Sequence, residues 1–262
     1  MIIDFHTHCF PAEIAERAIK KLSYLSGGLI PQTDGTADGL KELMKRSGTD
    51  KSCVMNIATN PHQMKSVNDF AISINGDELT AFGSVHPDAP DVLSELERIK
   101  AAGLKGVKFH PDYQGFYADD PKMKPIYKKI ESLGLIMLFH VGVDYGFDAP
   151  FHGMPDNMLG VIKTVDSPVV AAHWGGLDRG EEVLEKLCGL PIYFDTSFGY
   201  GTMPRKIQLK LIEKHGTDRI LFGSDCPWHN PMWEKRNLDT LGLSETEMDS
   251  ILSGNALKLL GK

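Results

Sequence analysis

Gly106-Val107-Lys108-Phe109-His110 and Leu135-Ile136-Met137-Leu138-Phe139-His140 follow one pattern: a short, nearly continuous apolar run that ends in histidine. Between them, Pro121 to Leu133 has helical spacing and stops before Gly134, a residue suited to a helix end. Strand, helix, strand, with both runs apolar on both faces, predicts two buried parallel strands joined by a crossover helix.

The same unit recurs in both directions at intervals of roughly 25 to 30 residues, about one strand, one helix and two loops. The expected strands are Ile2–His6, Cys53–Ile57, Thr80–Val85, Gly106–His110, Leu135–His140, Val169–His173, Ile192–Asp195 and Arg219–Gly223. Eight such strands predict an α/β chain closed into a (β/α)8 TIM barrel. A length of 262 residues suits one barrel, so residues 1–262 are read as a single domain. The first interval is longer: Glu13–Leu25 and Asp38–Arg46, connected through Gly27 and Gly28, predict a helical insertion after the first strand. Asp91–Ala102 reads as another barrel helix and Ser244–Leu260 as the last one.

A net charge of -7 lacks the basic footprint of a nucleic-acid or anionic-membrane binder. Lys122, Lys124, Lys128 and Lys129 read as a solvated helix face. No apolar run approaches the roughly 20 residues of a membrane span. The N-terminus lacks the pattern of a signal peptide, so a cytoplasmic location is expected. Cys9, Cys53, Cys188 and Cys226 are too irregularly spaced for a disulfide framework or a thiolate zinc site. The expected partner is a small-molecule substrate; self-association into a homo-oligomer is left open.

Chemistry is concentrated at one end of the strands. His6 and His8, His110, His140, His173, Asp195 and Asp225 end or follow separate runs, and His86 follows the third. Barrel enzymes build their sites at that end. His6 and His8, two residues apart in extended chain, share a face and can converge on one ion. Imidazole and carboxylate donors suit a divalent cation such as Zn2+, and a bound ion with an open position would activate water.

These residues resemble the amidohydrolase superfamily, within it the amidohydrolase-related (amidohydrolase-2) metal-dependent hydrolases. The resemblance rests on Ile3-Asp4-Phe5-His6-Thr7-His8, Gly106-Val107-Lys108-Phe109-His110-Pro111, Leu138-Phe139-His140, Ala172-His173-Trp174-Gly175-Gly176 and Phe222-Gly223-Ser224-Asp225-Cys226-Pro227. It implies that His6, His8, His140 and Asp225 bind the metal, that Asp225 also moves a proton, and that His173 acts as acid, base or electrostatic stabiliser. One divalent ion is expected, with a second left open. Lys108 is read either as a carboxylated bridge to that second ion or as half of a buried ion pair, with His110 the residue that reaches the site.

Tyr113, Trp174 and Trp228, with His110, are the expected substrate-binding residues. Arg205 and Lys206 read as surface charge at a helix start. The expected activity is metal-dependent hydrolysis of an amide, lactone or ester-like carbonyl. Non-oxidative decarboxylation of an aromatic or unsaturated acid is the alternative.

Overall fold

The structure is a computed structural model, and residues 1–261 are described. Strands β1 (Ile3–Thr7), β2 (Lys51–Met55) and β3 (Leu79–Phe82) form one parallel sheet. A second contains β4 (Gly106–Phe109), β5 (Ile136–Phe139), β6 (Val169–Ala171), β7 (Tyr193–Asp195) and β8 (Ile220–Leu221), also parallel throughout. Parallel bridges join the sheets at both edges, Gly83 with Val107 and Thr7 with Cys226. At the first seam Lys108 N donates to Gly83 O at 2.8 Å; at the second Phe5 N donates to Phe222 O at 2.7 Å. The eight strands thereby form a TIM barrel.

The strands are shorter than their apolar runs. β6 stops at Ala171 because His173 and Trp174 both adopt left-handed backbone, with φ of 61° and 56°. Side chains alternate as pleating requires. Val107, Phe109, Met137 and Phe139 face the outer helices, whereas Lys108 is in register with Leu138 and Val170 on the interior.

β1 departs from this alternation. Its pairing with β2 slips by one residue between Asp4 and Thr7. Phe5 therefore joins the interior cluster with Leu138 and Val170, while the next residue, His6, also faces inward towards Lys108 and Asp195. Bulges of this kind re-aim side chains next to active sites.

The expected insertion is present as Ala12–Leu25 and Ala37–Ser47. It reaches the barrel mouth, where Gln32 N donates to the Pro227 carbonyl at 2.7 Å. The expected last helix begins at a capping box, Ser244 with Glu247, and contains a widened π turn at Ser250–Gly254. That turn presents the Ile251 carbonyl to Phe222 N at 2.9 Å and so anchors the end of β8. A helix over Pro231–Asp239, absent from the sequence reading, packs beside the loop after β8. Among the described residues no helix is long and apolar enough to cross a membrane.

Candidate metal centre and active site

His6 Nδ1 lies 2.9 Å from Asp195 Oδ2, and His8 Nδ1 lies 2.8 Å from the Met55 carbonyl oxygen. A carbonyl only accepts, so His8 carries its proton on Nδ1; the Asp195 carboxylate selects the same tautomer for His6. Both rings then turn an Nε2 lone pair inward. The two Nε2 atoms are 3.2 Å apart, and Asp225 Oδ1 is 2.9 Å from that of His8 and 3.1 Å from that of His6. Three electron-rich atoms at this separation repel one another unless a cation lies among them. Two imidazoles and a carboxylate fit a divalent metal.

The electrostatics agree. Burial, reinforced by Lys108, holds the His6 imidazole well below its ordinary pKa and therefore neutral. Burial pushes the Asp225 carboxyl up, but His6 and His8 outweigh it and keep the group below the usual carboxylate value. Asp225 is also left-handed, at φ 65°, with its N–H donated to the His6 carbonyl at 2.7 Å. Non-glycine residues held in that region cluster at functional sites.

His140 and His173 form the adjoining wall. His140 Nε2 is 3.3 Å from the Val143 carbonyl, which puts the proton on Nε2 and aims Nδ1 at His173 Nε2, 3.0 Å away. His173 Nδ1 meets Ser197 Oγ at 2.8 Å, and Ser197 also donates to Asp195 Oδ1. One aspartate therefore orients His6 directly and His173 through Ser197. Burial holds both His140 and His173 below the ordinary histidine value. Among the described residues, the groups spaced to hold a metal put His6 with His8 and Asp225, and His6 with His173 and Asp195; His140 is instead grouped with His110 and Asp144.

His110 stacks on His140 at 4.1 Å and 9°, and its Nε2 is 3.0 Å from Asp144 Oδ2. Burial pushes the Asp144 carboxyl up, but bonding and attraction to His110 hold it far below the usual range. Tyr113 meets His110 edge-on at 4.6 Å and Phe147 at 4.8 Å, so it stands beside the histidine cluster. Trp228 is half-buried on the loop after β8, its N–H bonded to the Asp225 carbonyl at 2.9 Å.

Several expectations need correction. Trp174 is not at the mouth: it is fully buried, in one apolar cluster with Val183 and Phe194, because the left-handed backbone turns it away from the pocket. Lys108 makes no ion pair among the described residues; its Nζ lies 3.2 Å from His6 Nε2. Burial lowers its pKa to about 8. His110, one residue past the end of β4, is not its rival: Lys108 reaches His6 while His110 reaches Asp144. His86 stays apart, its Nδ1 accepting from Asp88 N at 3.3 Å. Arg205 is exposed at the start of the Arg205–His215 helix, as expected, and bonds to the Thr240 carbonyl.

The sequence reading assigned no role to Asp144, Ser197 or the Met55 carbonyl. Asp195 stood out only by its place at a strand end. Replacing it should loosen the ligand it orients: Asp195→Asn is expected to weaken metal binding by about 10- to 100-fold, measured by competition with a chelator.

Comparison with known proteins places this arrangement. No curated protein sequence matches the chain. Among solved structures, an uncharacterised TIM-barrel protein from Bordetella bronchiseptica is similar at TM-score 0.78 and 17% identity, covering 100% of this chain and 99% of its own. The 5-carboxyvanillate decarboxylase of Sphingomonas paucimobilis is similar at 0.72 and 17%, covering 99% and 98%. A probable 2-pyrone-4,6-dicarboxylic acid hydrolase from Acinetobacter baumannii, with citric acid bound, is similar at 0.71 and 18%, covering 100% and 99%. These identities speak for the fold; the family follows from the sequence itself, which matches the amidohydrolase family over residues 3–262, and the chain belongs to that family of metal-dependent enzymes.

Proposed function

We propose that the protein is a hydrolase in which a metal-activated water attacks an amide, lactone or ester-like carbonyl of a small molecule. The observation that carries this reading is the convergence of two inward Nε2 lone pairs and Asp225 Oδ1 beside the His173–Ser197–Asp195 chain. On this reading His6, His8 and Asp225 would hold one divalent ion, zinc by donor type, with His140 the further ligand that the family resemblance implies. When bound, such an ion lowers the pKa of water from 15.7 towards about 7 and polarises a carbonyl.

The protein's own groups do the rest. Asp225, whose carboxyl is held below the usual value, accepts the proton of the attacking water. On this reading His173 serves the carbonyl oxygen and the leaving group as acid, base or electrostatic stabiliser, its Nδ1 held by Ser197. Lys108 puts an amine in the floor of the site, where negative charge develops.

Decarboxylation of a ring-bearing acid is the second reading, favoured by the aromatic rings beside the histidines, Tyr113 against His110 and Phe198 against His173. Proteins of similar fold are named both as a decarboxylase and as a hydrolase. Incubating the zinc-loaded protein in 18O-water with lactones, amides and aromatic acids separates the two. Label in the product acid without carbon dioxide release is the expected result. Carbon dioxide release establishes the second reading, and no turnover across the panel counts against both.

A further inference from the structure

Two outer helices with no part in the chemistry above carry opposite charge. Gly180–Lys186, which follows β6, bears Glu181 and Glu185; Arg205–His215, which follows β7, bears Lys206 and Lys210. All four residues are exposed, and among the described residues none of the four side chains forms an ion pair or a hydrogen bond.

The helices touch at their starts, where a Cβ on Gly180 would lie 2.6 Å from Ile207 Cγ2. Further along, Lys214 Nζ donates to the Leu184 carbonyl. Residues of both helices line a groove of about 730 Å³ that includes Leu184, and a second hollow of about 580 Å³ adjoins it at Glu181 and includes Met203 and Ile207. Leu184, Met203 and Ile207 are buried, so the groove has an apolar floor within a charged rim. Protein interfaces share that anatomy.

The charges are also spaced alike. Glu181 and Glu185 are four residues apart, as are Lys206 and Lys210, so each helix carries two like charges on one face, about 6 Å apart along its axis. A partner of one sign would be repelled by one of the two ridges. A second copy of the chain, turned about a twofold axis, offers the inverted pattern: its acidic ridge meets the lysines, its lysines meet the acidic ridge, and the equal spacing brings both sets into register. The net charge of -7 opposes self-association through an average part of the surface, whereas these ridges balance.

We propose that the groove between the Gly180–Lys186 and Arg205–His215 helices is the contact face of a twofold-symmetric homodimer, in which Glu181 and Glu185 pair with Lys206 and Lys210 of the partner subunit, and reciprocally.

Sedimentation equilibrium on the full chain tests it. The unaltered protein should be dimeric at about 100 µM in about 50 mM salt, and the dimer should weaken about tenfold or more in about 500 mM salt, where the screening length falls to about 4 Å. Lys206→Glu with Lys210→Glu leaves two acidic ridges, and Glu181→Lys with Glu185→Lys leaves two basic ones. Each double variant should be monomeric alone at the lower salt. Mixed in equal amounts they should form a heterodimer, because every ridge again faces its opposite; a variant that had lost its fold could not be rescued in this way. A monomeric unaltered protein, a dimer indifferent to salt, a dimer of either double variant alone, or a mixture that stays monomeric overturns the inference.

Discussion

His8→Ala should yield protein that purifies without stoichiometric metal and does not turn over. His8 supplies one of the two inward Nε2 atoms, and its ring is locked by the Met55 carbonyl, so no neighbour can replace its lone pair. Loss of an orienting partner alone costs about 10- to 100-fold in metal affinity, and removal of the donor itself should exceed that. The side chain keeps 13% exposure, so truncation should leave the barrel folded. Elemental analysis after growth with added zinc, alongside the activity assay, checks the expectation. A fully metallated variant would remove His8 from the centre.

His173→Asn should behave oppositely towards the metal, retaining it while kcat falls by about 10²- to 10⁴-fold, the range for a lost general acid or base. Asparagine suits this position because His173 sits at φ 61°, a conformation asparagine tolerates better than most residues. The backbone that turns Trp174 into the core is thereby kept, and the loss is confined to the imidazole. Metal content and kcat measured on one preparation decide the matter. Loss of the metal would make His173 a primary ligand.

The fold was legible because the strands are buried almost throughout and β1, β4, β5, β6 and β7 carry a histidine or aspartate at or just past their C-terminal ends. Lys108 on β4 and His110 just past its end show the same logic, two residues apart and both turned to the histidine cluster. What could not be read depends on local backbone. The slip in β1 lets consecutive residues face inward, which period-two reasoning forbids. The paired left-handed residues at 173 and 174 send a tryptophan into the core that alternation alone would leave near the mouth. Asp144 and Ser197 lie beyond the ends of β5 and β7, where no periodicity operates, and only folding brings them to His110 and His173.

The seam between β1 and β8 carries one more implication. His8 and Asp225, 217 positions apart along the chain, meet there, and the backbone bonds that shut the barrel run through the same residues. Joining such distant points costs more chain entropy than any local contact. A cation shared by these residues would draw its binding energy from that junction and act as a clasp on the finished ring of strands. During synthesis the clasp has nothing to fasten until Asp225 has left the ribosome, so capture of the ion would mark the completion of the barrel.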